Sequence, residues 1–449
     1  MKYFHISRRG FLKRLTSAAA ATGLPLWFLE RELVKAAGIP AVTSPNERPG
    51  IALIGCGNQG RGDAANAARF GDIVAVCDVD DSHAEQAANE FAKNGKTPSK
   101  FNDFRKLLEK KEVNIIINGT PDHWHTLVNI AAAKAKKDIY SEKPLTLTID
   151  EGRRLIKAVR EAGVILQVGS QQRSDRNFRL ACELVRNRRI GKLKHIIVGL
   201  PTGPREGPFS PQPVPAGLNW DYYVGQAPFM EYNGKNCHWA FRWWYCFSGG
   251  QMTDWGAHHN DIAQWANGTE RSGPVEVSGK SLIDMVPGGF DTASRFRVEY
   301  KYGNGVTMTV VDESTGTEEN VVGDSRRTPN GVQFIGSDGW IFVTRGKIQA
   351  SNQDILETPL PDNAIRLYKS DDHIGNFFDC VKSRKAPICD VEIGHRSISV
   401  AHIGVISIRT GLKLNWDPEK EQFVGENSKE ANLWIAREMR KPYNYSFIG

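Results

Sequence analysis

The apolar run Ile51-Ala52-Leu53-Ile54, continued without a break by Gly55-Cys56-Gly57-Asn58-Gln59-Gly60, constrains this chain more than any other feature. Four apolar residues ending at a glycine read as a strand buried on both faces. Glycines at G-x-G-x-x-G spacing supply a tight turn, a backbone that a ligand can approach, and a close helix–strand contact. The spacing alone is weak evidence, because glycine is common. Its context strengthens it: Arg61 to Phe70 has helical periodicity, and a second strand, Asp72 to Cys77, ends at Asp78, eighteen residues after Gly60. Strand, glycine turn, helix and acid in this order form the unit in which a pyrophosphate rests on a helix N-terminus and a carboxylate bonds a ribose. Gly55, Gly57, Asn58, Gln59, Gly60 and Asp78 are therefore expected to hold a dinucleotide. A carboxylate at Asp78 repels a 2′-phosphate and so favours NAD over NADP, with Asp80 and Asp81 as alternative acids.

Strands and helices keep alternating to about residue 170. Val113 to Asn118, Ile139 to Ser141 and Val164 to Val168 read as strands, and Trp124 to Lys136 and Ile149 to Glu161 as helices. This predicts a doubly wound parallel sheet over residues 50–170. Beyond residue 190 strands follow one another: His195 to Leu200, Val275 to Ile283, Ser294 to Tyr300, Val306 to Val311, Val332 to Ile335 and Trp340 to Thr344. Such a run predicts an open mixed or antiparallel sheet, hence an α+β domain over residues 171–449. Two helical patterns, Asp371 to Ser383 and Gly394 to Gly411, close the chain and can pack back on the first domain. With 449 residues and 40% apolar content, two cores are what the chain can bury. The stretch from Pro201 to Gly217, with six prolines and no periodicity, is expected as a surface excursion near the active-site mouth.

The start of the chain stands apart. Ser7-Arg8-Arg9-Gly10-Phe11-Leu12-Lys13 precedes fourteen uncharged residues, Thr16 to Leu29, too short for the ~20 that a membrane span needs. Residues 1–36 read as a twin-arginine export signal, with Val34-Lys35-Ala36 as the cleavage site, so a periplasmic protein without a stable membrane anchor is expected. This segment holds 7 of the 58 basic and 2 of the 51 acidic residues, which leaves 51 against 49 and a net charge of +2. The basicity is a property of the signal, and no nucleic-acid partner follows from it. Seven scattered cysteines without a C-x-x-C pair are not a disulfide framework. Free thiols suit a protein exported already folded, and Cys237 and Cys246 are the one pair considered for a later bridge.

Three further stretches carry chemistry. Glu142-Lys143-Pro144 follows the strand at 139–141, which puts the Lys143 ammonium at the C-terminal edge of the sheet. In Thr253-Asp254-Trp255-Gly256-Ala257-His258-His259-Asn260-Asp261, a helix would set Asp254 and His258 on one face at i, i+4, with Asp261 following, and His259 pointing elsewhere. No third ligand follows at a metal-site spacing, and no metal is assigned. Six of the eleven tryptophans fall between Trp220 and Trp265, among them Trp239, Trp243 and Trp244 beside Arg242. Such rings stack on a pyranose while polar neighbours bond its hydroxyls, although a tryptophan-rich core is an equal reading.

The glycine fingerprint, Thr120-Pro121-Asp122-His123-Trp124-His125, Glu142-Lys143-Pro144 and the Asp254…His258 segment together resemble the Gfo/Idh/MocA oxidoreductase family, in particular its exported branch from sugar-degrading bacteria. The resemblance runs from Gly50 to about Tyr445. It implies that Lys143 lies beside nicotinamide and substrate and that Asp254 and His258 complete a proton-transfer site. It further implies that Thr120, Pro121, His123, His125 and Glu142 belong to the cofactor site, with the two histidines bracing the nicotinamide ribose. Elementary chemistry agrees: a hydride leaves a carbinol carbon as the hydroxyl proton is removed, so a base (His258, assisted by Asp254) and a cation for the developing alkoxide (Lys143) are both needed. The expected substrate is a small carbohydrate in contact with Lys143, Trp239, Arg242, Trp243, Trp244, Asp254 and His258. Because no NAD pool exists outside the cytoplasm, the cofactor must stay bound. Two activities remain: a sugar, polyol or glycoside oxidoreductase, or a redox-neutral NAD-dependent glycosidase, lyase or epimerase that passes through a keto-sugar and needs an extra base, for which Tyr222, Tyr223 and Tyr245 are candidates. Self-association through the second sheet is the family's habit.

Overall fold

The computed structural model describes residues 48–320 and 330–449. The proposed signal, residues 1–36, lies outside them. The first sheet orders its six parallel strands β3-β2-β1-β4-β5-β6: β1 (Gly50–Ile54), β2 (Asp72–Cys77), β3 (Ser99–Phe101), β4 (Ile115–Asn118), β5 (Asp138–Ser141) and β6 (Leu166–Val168). Every residue of β1 and β4 is buried, as helices on both faces require of a continuous apolar run. The helices are α1 (Asn58–Ala67), α2 (Asp81–Glu90), α3 (Phe104–Leu108), α4 (Asp122–Lys134) and α5 (Ile149–Ala162). The order reverses between β1 and β4, the switch point at which a doubly wound sheet opens a crevice at its strands' C-terminal ends.

The second sheet has nine strands in the order β13-β12-β11-β7-β10-β9-β8-β14-β15. They are β7 (Leu193–Leu200), β8 (Pro274–Ser281), β9 (Phe296–Tyr302), β10 (Thr307–Asp312), β11 (Gly331–Gly336), β12 (Trp340–Thr344), β13 (Lys347–Ala350), β14 (Lys413–Asp417) and β15 (Gln422–Val424). Only β7 and β10 pair in parallel, so the sheet is mixed as expected. Its inner face, with Val298, Tyr300, Met308, Val310 and Phe334 buried, packs against α6 (Arg176–Arg186), α8 (Trp255–Asn267), which follows the short α7 (Trp220–Val224) in the chain, and α10 (Val391–Thr410). On the outer face Glu276 pairs with Lys301 at 2.8 Å and Lys413 at 3.1 Å. Strands β13 to β15 escaped the sequence reading because they are three to five residues long and polar at every second position.

The closing helices do pack back on the first domain. From α9 (His373–Ser383), Ile374, Phe377 and Phe378 share a core with Ile51, Leu53 and Ile115 of β1 and β4. Helix α10, capped by Asp390 through Glu392 N and Ile393 N, touches both α5 and α8. This joint fixes α8, and so Asp254 directly before its first turn, relative to the parallel sheet.

Candidate functional site

A cavity of about 400 Å³ runs from the glycine turn to Lys143, outside the C-terminal ends of β1, β2, β4 and β5. Gly55 sits at φ +87°, and a Cβ there would stand 2.4 Å from Thr120 N. A Cβ on Gly60 would stand 2.1 Å from the Gly55 carbonyl oxygen. These two positions accept glycine alone. A Cβ on Gly57, by contrast, would meet nothing within 4 Å, because that residue opens onto the cavity. Helix α1 has no side-chain cap and no acid in its first turn, which leaves its first amides free for an anion. The chain thus fits a pyrophosphate here.

Of the three successive acids, Asp78 lines the cavity. Its carboxylate accepts from Cys56 N at 2.7 Å and Asp80 N at 2.9 Å, which ties the end of β2 to the glycine turn. Asp80 instead caps α2 through Ser82, and Asp81 bonds Asn102 at 2.8 Å. The proline-rich stretch ends against this acid loop, where Asp81 N donates to Gly217 O and Asn219 N to Val79 O. His83 and His238 stand over this end with ring centroids 4.6 Å apart.

At the other end Lys143, on the loop after β5, ion-pairs with the Asp254 carboxylate, and Arg242 Nε lies 3.6 Å from the same oxygen. Burial alone would raise the Asp254 carboxyl, but the Lys143 and Arg242 cations outweigh it and hold it below its usual range. Asp254 is the residue before α8, and no hydrogen bond joins it to His258 among the described residues. The expected Asp254–His258 couple is therefore replaced by a Lys143–Asp254 couple, since the cation is the stronger partner. His258 is buried against Trp255, leaves Nδ1 unpartnered, and does not line this cavity. Burial, then Lys143 and Arg345, push its imidazole well below the usual range, so it stays neutral. His259 is structural, as expected, with Nε2 2.8 Å from Asn330 Oδ1. Asp261 leaves the site altogether and pairs with Arg173.

Other expectations are redistributed by packing. Glu142 lines the cavity although almost wholly buried, and it accepts from Gln171 Nε2 at 2.9 Å and Gln59 Nε2 at 3.4 Å, a bracket that holds the Lys143 loop to the α1 turn. His123 turns its Nε2 to Tyr223 O at 2.8 Å, and His125 sits between the Pro144 and Thr120 carbonyls at 2.6 and 2.8 Å. Neither histidine reaches the cavity wall, so they brace the polypeptide and not a ribose; Thr120 and Pro121 do line it. Trp239, 69% exposed, forms the rim under the Arg242 guanidinium. Trp243 and Trp244 belong to an aromatic core with Trp220, Phe247 and Phe290 and do not line the cavity. Tyr222 and Tyr223 line the wall, but burial pushes both phenols up and Tyr222 Oη is committed to Asp103, so neither is a ready base. Tyr245 lines a different cavity, beside Arg409 and Trp434. All seven cysteines are free, Cys237 and Cys246 included.

The sequence reading missed two residues. Arg345, in the turn between β12 and β13, stacks on Trp255 with 4.8 Å from guanidinium to ring and adds a third cation near Asp254. Nothing in a tight-turn arginine marks it as part of a site 200 residues away in the fold's other half. Asp122, the first residue of α4, lines the cavity while 5% exposed.

Comparison with known proteins agrees with this geometry. Residues 50–170 match the model of an oxidoreductase family's NAD-binding Rossmann fold, and residues 205–445 match that of the family's C-terminal α/β domain. The chain is 25% identical to a scyllo-inositol 2-dehydrogenase (NAD(+)) of Bacillus subtilis over 360 residues, covering 78% of this chain and 90% of that one. It is 28% identical to a myo-inositol 2-dehydrogenase of Thermotoga maritima over 299 residues, 65% and 74% of the two chains. A levoglucosan dehydrogenase solved with NADH and levoglucosan shares the fold at TM-score 0.60 and 17% identity, over 82% of this chain and 99% of that one. The chain belongs to the Gfo/Idh/MocA oxidoreductase family, as an enzyme with that family's NAD-binding Rossmann domain and C-terminal α/β domain.

Proposed function

We propose that this enzyme oxidises a hydroxyl of a sugar, polyol or glycoside with an NAD that stays bound through turnover. One observation carries the reading: a single cavity joins the glycine turn and Asp78 to Lys143 and Arg242, so a dinucleotide laid along it ends where a cation waits. The nicotinamide, when bound, supplies the hydride acceptor. Lys143, held by Asp254, steadies the oxygen on which negative charge develops, and Arg242 and Trp239 offer a guanidinium and a ring face to the rest of a carbohydrate. Arg345 and His258 stand behind this pair and set its field.

Purified protein is expected to release NAD(H), not NADP(H), on heat denaturation after exhaustive dialysis, and Asp78→Ala to release much less. Mass spectrometry of the supernatant checks both. Protein that releases no dinucleotide, or NADP, would contradict the assignment of Asp78.

The redox-neutral alternative is separated by a deuterium label on the carbon to be oxidised. Retention in the product supports transient oxidation, whereas transfer to a second carbonyl compound supports net oxidation. Export through the twin-arginine route rests on Arg8-Arg9 and the short apolar run after them, and cell fractionation with Arg8→Lys/Arg9→Lys tests it. No helix among the described residues is long and apolar enough to cross a membrane. A second copy would pair through the open face of the nine-stranded sheet, by its Glu276, Lys301 and Lys413 ladder, and sedimentation at low and high salt tests that contact.

A further inference from the structure

A second cavity, of about 430 Å³, lies beside the one that ends at Lys143, and its size is that of a small-molecule site. Ser248 stands between the two: it lines the second and donates to Asp122, which lines the first. Leu147 and Ile149 at the entry of α5 and Val405 and Ile406 of α10 give the second cavity an apolar lining. Neither Lys143, Arg242 nor Asp254 belongs to it.

Its cations set it apart. Arg409, in the last turn of α10, stacks on both Tyr245 and Trp434, with 4.4 and 4.3 Å from guanidinium to ring centre. Tyr245 is itself fixed, with its N–H donating to Asp291 Oδ1 at 2.6 Å and its Oη accepting from Ala293 N at 3.2 Å. Held in this way, Arg409 makes no hydrogen bond and no ion pair among the described residues, so its five N–H donors are uncommitted. Arg437 lines the cavity from the C-terminal segment. Its Nη1 donates to Cys246 O at 2.8 Å and its Nε stands 3.6 Å from Glu151 Oε1, yet Nε and Nη2 have no hydrogen-bond acceptor. The His402 imidazole, 5% exposed, also lines the cavity and leaves Nε2 unpartnered. Buried polar groups without partners are costly, and those beside a cavity are where a ligand's polar atoms fit. Glu151 balances the charge of Arg437, whereas Arg409 has no carboxylate at ion-pair distance among the described residues. The cavity therefore keeps one cation to offer. Two acids, Asp291 and Glu438, line it as well, and Asp291 Oδ2 accepts no hydrogen bond among the described residues.

We propose that this second cavity is a binding site for a small polyhydroxylated carboxylate, a sugar acid, whose carboxylate lies on the Arg409 guanidinium and whose hydroxyls meet Asp291, His402 and Arg437. A planar guanidinium takes a carboxylate through two parallel bonds. Stacking on two rings fixes that fork before the ligand arrives, so little side-chain freedom is lost on binding. Asp291 repels a bare anion but accepts from a hydroxyl, which makes an acid carrying hydroxyls a better fit than an inorganic oxyanion. The rings of Tyr245 and Trp434 and the apolar lining suit the C–H faces of such a chain or ring. The site does not depend on what the first cavity oxidises.

The test titrates the full chain with its bound NAD calorimetrically, using D-gluconate and D-glucuronate, with glucose, acetate and sulfate as probes that each lack one part of the ligand. The sugar acids are expected to bind once per chain and to raise Tm with their concentration, and the three partial probes to bind ~10-fold more weakly or worse. Arg409→Gln should lose ~10-fold or more in affinity for gluconate while keeping its NAD, and Arg409→Lys nearly as much, because an ammonium keeps the charge without the planar fork. Lys143→Met, altered in the first cavity, should bind gluconate as the parent does. The proposal is overturned if neither sugar acid binds, if binding survives Arg409→Gln, or if Lys143→Met abolishes it, which would place the ligand in the first cavity. Sulfate bound as tightly as gluconate would overturn the ligand class, since the hydroxyls would then contribute nothing. Should Arg409→Gln fail to fold, Arg409→Lys decides by the same titration.

Discussion

Lys143→Met is expected to slow hydride transfer from carbohydrate to bound nicotinamide by ~10²-fold or more, because it removes the cation at the developing alkoxide. The loss should fall on kcat more than on KM, since a neutral hydroxyl gains less from the ammonium than an alkoxide does. The variant should keep its fold and its NAD: Arg242 remains 3.6 Å from the Asp254 carboxylate, so that buried charge is not stranded. Single-turnover absorbance of the reduced nicotinamide measures the step, and a small primary amine added to Lys143→Ala should restore part of it. Near-parental turnover in Lys143→Met would remove the lysine from the chemistry.

The largest effect on stability is expected at Arg173. Its guanidinium grips Asp261 with two parallel bonds, Nε to Oδ2 at 2.6 Å and Nη2 to Oδ1 at 2.7 Å, and stacks on Trp265. Ser397 of α10 donates to the same carboxylate. Both charged side chains are almost wholly buried, at 2% and 1% exposure, so Arg173→Met strands the Asp261 charge and should lower the unfolding free energy by about 3–5 kcal/mol. Replacing both partners, as Arg173→Met/Asp261→Leu, removes the charges together and should recover much of the loss. Urea unfolding monitored by tryptophan fluorescence reads both variants. A single variant as stable as the parent would mean that water reaches the pair. The bridge also ties the segment after β6 to α8, so Arg173→Met should loosen the helix that follows Asp254.

What local sequence could decide, it decided through periodicity and backbone sterics. The buried runs of β1 and β4, the glycines at 55 and 60 that no Cβ could replace, the acid at the end of β2 and the lysine at the end of β5 each act within one turn or one strand, and each stands where its own neighbours require. Partner choice among charged and aromatic side chains was decided elsewhere. Asp254, His258 and Asp261 share a spacing that suggests one proton relay, yet Lys143 from the first sheet claims Asp254 and Arg173 claims Asp261, because a buried carboxylate takes the nearest cation the tertiary fold delivers. The tryptophans were likewise indistinguishable in sequence: Trp239 stands at the rim while Trp243 and Trp244, four and five residues on, fill a core. Asp122 carried no signal beyond its place after Thr120-Pro121. What raises a carboxyl is the tertiary surroundings that desolvate it, and Ser248 and Arg242, which surround this one, come from more than a hundred residues along the chain.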